Sequence, residues 1–103
     1  MRRRRRRRGL RGRFPKPVNI IQPSKINKFT PQPQIVEEEI IIEQAEIEAL
    51  RLVDLEGLSQ EQAGKQMGVS RGTIWRLLQA AREKVARALT EGRQIIVGSK
   101  TED

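Results

Sequence analysis

Residues 59 to 79, SQEQAGKQMGVSRGTIWRLLQ, decide the fold of this chain. Ser59 followed by Gln62 is a capping box, in which the hydroxyl and the side-chain amide satisfy backbone groups left unpaired by the first turn of a helix. A helix is therefore predicted from Ser59 to Met67. Gly68 takes the positive φ that a tight turn needs, Val69 tucks inward, and Ser70 is a new N-cap, so the next helix begins at Ser70 and Arg71. Ala63 and Gly64 are small where two helices cross closely. Gly64 costs about 1 kcal/mol against alanine in a helix interior, and close approach is the compensation. Two helices joined by three residues centred on Val69 have the spacing of a helix-turn-helix. The plainer alternative is an ordinary helical hairpin in a small bundle.

Outward from this stretch, Ile74, Leu77, Ala81, Val85 and Ala88 recur every three or four residues, with Arg76, Gln79, Arg82, Glu83 and Arg87 between them. That period predicts a long helix from Arg71 to about Glu91, about 30 Å at 1.5 Å per residue. On the other side, Glu43 to Glu56 are good helix formers, with a broad apolar face of Ala49, Leu50, Leu52, Val53 and Leu55 and a stop at Gly57. The acids Glu37 to Glu39, Glu43, Glu46 and Glu48 read as a solvated helix entrance that suits the helix dipole, not as catalytic carboxylates or a metal cage. Ile40, Ile41 and Ile42, and again Ile95, Ile96 and Val97, are β-branched runs too short for helices. They read as two short strands, and the pattern allows pairing within one chain or between two.

The chain has 103 residues, enough for one domain with tails. The expected division is a basic, proline-containing, disordered arm over 1–34, a helix-turn-helix DNA-binding domain over 35–98 and a tail over 99–103. Phe14, Phe29 and Trp75 are the only aromatic residues, so burial must come from aliphatic side chains after Ile35. A folded part of about 60 residues is marginal alone, and partners are expected. There is no cysteine and no histidine, which removes disulfides, thiolate metal sites and the commonest general base. The expectation is a protein that is not an enzyme and needs no metal or cofactor. No apolar run approaches the roughly 18 residues of a membrane span, so a cytoplasmic, nucleoid-associated protein without membrane contact is expected.

Twenty-one basic against 13 acidic residues give a net charge of +8, unevenly spread. Met1 to Gln34 carries twelve positive side chains and no negative one; Ile35 to Gly57 sets Arg51 against eight acids; Leu58 to Lys100 holds eight basic residues against Glu61, Glu83 and Glu91. Two basic blocks flank an acidic one, a distribution suited to a polyanion. Arg2 to Arg8 is an unbroken arginine tract, continued by Arg11 and Arg13, and its self-repulsion predicts an arm disordered in isolation. Pro15, Pro17, Pro23, Pro31 and Pro33 make the rest of the arm irregular.

Once Ile74 and Leu77 face the core, the first two turns of the third helix present Arg71, Gly72, Thr73, Trp75, Arg76 and Gln79 outward. These are the candidate base readers of duplex DNA: arginine takes guanine bidentately, glutamine takes adenine, and a threonine methyl or an indole meets the thymine methyl. Trp75 is read first as a half-buried core residue and second as such a contact. Ser59, Lys65, Ser70, Arg82 and Arg87 are the candidate phosphate contacts, helped by helix N-terminal amides. Arg2, Arg3, Arg4, Arg5, Arg6, Arg7 and Arg8 read either as a solvated tail or as a sequence-independent phosphate clamp or minor-groove arm.

At these residues the chain closely resembles uncharacterised protein family 0251, predicted DNA-binding proteins of the domain of unknown function 134 type. The resemblance rests on Ile47 to Leu52, Asp54 to Glu61, Met67 to Arg71, Ala81-Arg82, Lys84 to Ala86, Ala88-Leu89 and the closing Gly92, about Ile40 to Val97. Gly12-Arg13, Lys16-Pro17 and Phe29 add a weaker likeness to the family's basic start. The family's helix-turn-helix looks like region 4 of sigma factors. The resemblance implies a transcription-regulator-like role and an all-α fold of three helices, sigma region 4-like or winged-helix-like, with the two strands as an addition. The chain departs from the family at Gly72, often proline, at Ile74, often aromatic, and at Trp75, usually small or polar.

The leading expectation is a sequence-specific binder of double-stranded DNA, a transcriptional regulator that could bind a palindrome as a homodimer. Two alternatives stand beside it: an adaptor that docks on RNA polymerase through the acidic first helix, and RNA binding through the arginine tract.

Overall fold

A computed structural model describes residues 18–98. In chain order the elements are β1 (Lys28–Phe29), β2 (Ile40–Glu43), α1 (Gln44–Leu50) running on into a π-helical turn (Arg51–Leu55), α2 (Gln60–Met67), α3 (Arg71–Glu91) and β3 (Ile95–Gly98). The three helical segments lie where the caps and periods put them. The fold is nevertheless not purely all-α, because the strands form a three-stranded sheet in the order β1-β3-β2.

The two isoleucine-rich runs pair within one chain and in parallel, Ile40 opposite Ile95 and Ile42 opposite Val97. Parallel strands need a long connection, and here it is all three helices. The other edge of β3 is taken antiparallel by Lys28 and Phe29, with the Val97 N–H donating to the Asn27 carbonyl at 2.8 Å. A two-residue strand has no readable alternation. What calls it into existence is the row of backbone groups on β3, which lies far away in sequence.

β2 feeds straight into α1 at Glu43, where a second capping box forms: the Glu43 N–H donates to Glu46 Oε1 at 2.9 Å. The helix then widens, the Glu56 N–H reaching back five residues to the Arg51 carbonyl. Such a turn advances fewer degrees per residue than an α-helix and rotates the next side chains off its face. Leu52 is buried, whereas Leu55, assigned to the same face by period, is 77% exposed.

α3 lies against both α1 and α2. The core between them is built from Ala49, Leu52, Ala63, Met67, Ile74 and Leu77, with Val18 and Val69 packed on its edge. Met67, Ile74 and Leu78 are fully buried, and each such side chain stabilises the fold by about 1.5–3 kcal/mol through removal from water. The segment from Val18 onward lies on this unit. The Asn19 N–H donates to the Met67 carbonyl, the Ile21 N–H to Glu48 Oε2 and the Ser24 N–H to Gln44 Oε1.

The acids of α1 differ from the expected solvated entrance. Glu46 and Glu48 are buried. Glu46 accepts from Lys84 Nζ at 2.7 and 3.0 Å. Glu48 accepts from Arg51 at 2.9 and 3.0 Å and from the Ile21 N–H at 2.9 Å. Burial pushes the Glu48 carboxyl up, but the hydrogen bonds from Arg51 and from backbone N–H groups outweigh it and hold the group below its usual range. Local composition missed the burial because it comes from distant chain, Lys84 of α3 for Glu46 and the Ile21 N–H for Glu48.

Candidate nucleic-acid interface

The connection between α2 and α3 is set by three backbone requirements. Gly68 ends α2 with φ 73 and ψ 31, a left-handed conformation that glycine adopts without strain. The Val69 N–H donates back to the Gly64 carbonyl at 2.9 Å. A Cβ on Gly64 would stand 2.7 Å from the Val69 oxygen, so only glycine lets the turn lie on the helix. The close approach expected at Gly64 is thus between helix and turn.

Ser70 opens α3 by accepting the Thr73 N–H on its Oγ at 3.1 Å. The two hydroxyls are 3.0 Å apart, and Arg76 Nη2 donates to Thr73 Oγ1 at 3.2 Å. Thr73 is therefore half-buried and committed within this cluster, where it orients the guanidinium of Arg76.

With Ile74, Leu77 and Leu78 inward, Arg71, Gly72, Trp75, Arg76 and Gln79 face solvent. Trp75 is 53% exposed, not the half-buried core residue that its size favoured. The core positions around it are filled by its neighbours Ile74 and Leu78, which leave the indole no inward direction on the helix. Arg71, Gly72, Trp75 and Arg76 form one wall of an open groove of about 660 Å³ whose other wall is Ser59, Gln60 and Glu61. Both helices present N-terminal turns to it, whose partial positive charge favours an anion. Gln60 and Glu61 escaped the sequence reading, although their place directly after the Ser59 cap was a sufficient signal.

The cations on this surface fall into two kinds. Among the described residues Lys65, Arg71 and Arg76 make no ion pair. Arg82 is held bidentately by Asp54 at 2.7 and 3.0 Å, and Arg87 bridges Glu83 at 2.8 Å and Glu91 at 3.2 Å. The Arg82 hydrogen bonds hold the Asp54 carboxyl below its usual range. Those of Arg93 do the same for Glu91, with the charge of Arg87 adding to it. Arg82 and Arg87, both read as phosphate contacts, thus have acidic partners inside the fold. Ser59 and Ser70 are exposed but serve as caps. Arg2 to Arg8 lie outside the described residues.

Among the described residues no group of three or more acids could hold a metal ion. No helix there is long and apolar enough to cross a membrane.

The family described as "Protein of unknown function DUF134" matches residues 1–102. A UPF0251 protein of Pyrococcus horikoshii is 51% identical over 85 residues, 82% of this chain and 73% of the relative. A UPF0251 protein of Pyrococcus furiosus is 67% identical over 58 residues, 56% of this chain and 54% of the relative. A third, of Vibrio parahaemolyticus, is 52% identical over 59 residues, 57% of this chain and 62% of the relative. The chain thus spans between about half and three-quarters of the length of these relatives. No solved structure matches it.

Proposed function

The chain belongs to the DUF134 family, and we propose that it is a sequence-specific DNA-binding protein whose α2, turn and α3 act as a helix-turn-helix of the sigma region 4-like kind. One observation carries this reading: the outward face of the first two turns of α3 offers Arg71 and Arg76 free of acidic partners among the described residues, with an exposed Trp75 between them. A guanidinium without an acidic partner is able to bind the O6 and N7 atoms of guanine as a fork. The indole adds apolar area for a thymine methyl, and Gln79, one turn further on, faces the same way.

Around this face the remaining contacts sort by chemistry. Lys65 and the N-terminal turns of α2 and α3 suit phosphate oxygens, which fix orientation without reading sequence. Gly72 is exposed and leaves the helix backbone bare where it would come nearest the bases; a Cβ there would meet only ordinary van der Waals contacts, Ser70 Oγ at 3.9 Å and Arg76 Nη1 at 4.0 Å. The role is that of a transcriptional regulator in the cytoplasm at the nucleoid, without catalysis.

The adaptor alternative loses ground in two places. It relied on the acids of α1, and Glu46 and Glu48 are buried and paired.

The test is selection of bound sequences from random duplexes with the full chain. An enriched motif is expected, and its half-site symmetry would report a homodimer. Recovery of no motif, together with stoichiometric capture of RNA polymerase, would replace this reading with the adaptor.

A further inference from the structure

Thr73 and Thr90 lie on the same helix and use their hydroxyls differently. Thr90 Oγ1 donates to the Ala86 carbonyl at 2.9 Å, the bond to the preceding turn that a threonine inside a helix makes. Thr73 sits in the first turn of α3, and the residue four places before it, Val69, belongs to the connection from α2. Its hydroxyl oxygen lies 3.0 Å from Ser70 Oγ and accepts from Arg76 Nη2 at 3.2 Å. Ser70 Oγ is itself fixed by the Thr73 N–H, which donates to it at 3.1 Å. The Thr73 oxygen is thus anchored from the capping side, and β-branching stiffens its χ1.

This sets Arg76 apart from the other arginines of α3. Arg82 and Arg87 are ordered by carboxylates, which also neutralise them. Among the described residues Arg71 is held by neither an acid nor a hydroxyl. Arg76 is ordered by a neutral oxygen that leaves its charge unspent. One hydrogen of Nη2 goes to Thr73, and the other guanidinium hydrogens remain for a ligand. Nη1 stands beside Gly72, 4.0 Å from where a Cβ would be, on the groove wall shared with Trp75. A free arginine gives up rotamer freedom when it binds and follows a phosphate or a base as either comes within reach. One that is already held has lost part of that freedom and presents a fixed edge.

We infer that Thr73 is a positioning residue for base reading: its hydroxyl holds the Arg76 guanidinium in the direction from which the free edge meets one guanine. Guanine presents two acceptors, O6 and N7, on its major-groove edge, whereas adenine offers N7 and thymine O4 singly. A fork fixed in direction discriminates between these edges. A fork that swings settles for single hydrogen bonds and discriminates less. Thr73 takes no base itself, since its oxygen is spent on Ser70 and Arg76 and its side chain is half-buried. All of this rests on α3 as the helix that enters the major groove, and it names what sharpens that helix's reading.

The test uses the full chain and the duplex it selects, with each base pair of the site changed in turn. Arg76→Ala marks the base pair that Arg76 reads. Thr73→Val replaces the hydroxyl by a methyl of nearly the same shape and keeps the N–H that donates to Ser70. It should lower discrimination at that same base pair by roughly 2- to 10-fold, about what one hydrogen bond contributes. Preference at the other positions, affinity for unrelated duplex and the slope of log affinity against log salt should all stay. Thr73→Ser, which retains the hydroxyl, should keep full discrimination. Made on top of Arg76→Ala, Thr73→Val should add no further loss. Weakening of all sequences alike would reduce Thr73 to a structural role and overturn the inference. So would unaltered discrimination, or a loss at a different base pair, which would make Thr73 a direct contact; both leave the reading of α3 standing. Selection of no motif, or base preferences untouched by Arg76→Ala, would overturn that reading and the role of Thr73 with it.

Discussion

The two halves of α3 carry similar basic side chains and use them differently. Arg71 and Arg76 in the first two turns have no acidic partner among the described residues, while Arg82, Lys84 and Arg87 further along are paired with Asp54, Glu46, and Glu83 with Glu91. The second half is fastened to the helix before α2 by two of those pairs. The lesson concerns availability. Exposed ion pairs stabilise a fold only slightly, yet each one occupies a cation that a phosphate or base would have to win from its partner. Net charge counts both halves alike, whereas binding to a polyanion depends on the charges the fold leaves unspent.

The largest expected effect tests the inner and outer faces of the first half through two neighbours. Ile74→Ala should lower stability by about 2–5 kcal/mol, the ordinary cost of truncating a fully buried aliphatic side chain. Trp75→Ala should leave stability within about 0.5 kcal/mol and weaken DNA binding. Chemical denaturation and a binding titration on the selected duplex would show both, and equal destabilisation by the two would put the indole back in the core.

Next in size is the difference between the halves. Arg71→Ala and Arg76→Ala should each cost about 1–3 kcal/mol of binding and relax preference at one base position. Arg87→Ala should leave the preferred sequence as it was. Equal losses at all three positions, uniform across sequences, would erase the distinction.

The smallest effect converts one half into the other. Asp54→Asn frees Arg82, and the salt slope should rise by up to roughly 0.9 unit as one more phosphate contact becomes available. The same pair gives a pH signature. Because the Arg82 hydrogen bonds depress the folded Asp54 value, its stabilisation is complete above the unfolded value, about 3.9, and is lost as pH falls through the lower folded one. Acid unfolding of Asp54→Asn should lack that component, and an unaltered acid limb would show that the pair contributes nothing in solution.

Much of the proposed site was legible before the fold. Ser59 with Gln62, Gly68 and Ser70 place the helix ends, and Ile74 with Leu77 fix the phase that turns Arg71, Gly72, Arg76 and Gln79 outward. What escaped were features made by a distant partner. β1 pairs with the otherwise free edge of β3, and the segment at Asn19 is held by a carbonyl at the end of α2. The widened turn that displaces Leu55 left no local mark either.

The sequence by itself determined where helices start and stop, because capping and glycine turns act across three or four residues of chain. It also determined which side of α3 is apolar, through the 3.6-residue period. Only the tertiary structure decided the ion pairs between distant residues, and which acids are buried. Ion pairing depends on distance through space, and Arg82 meets Asp54 across 28 residues of chain and Lys84 meets Glu46 across 38.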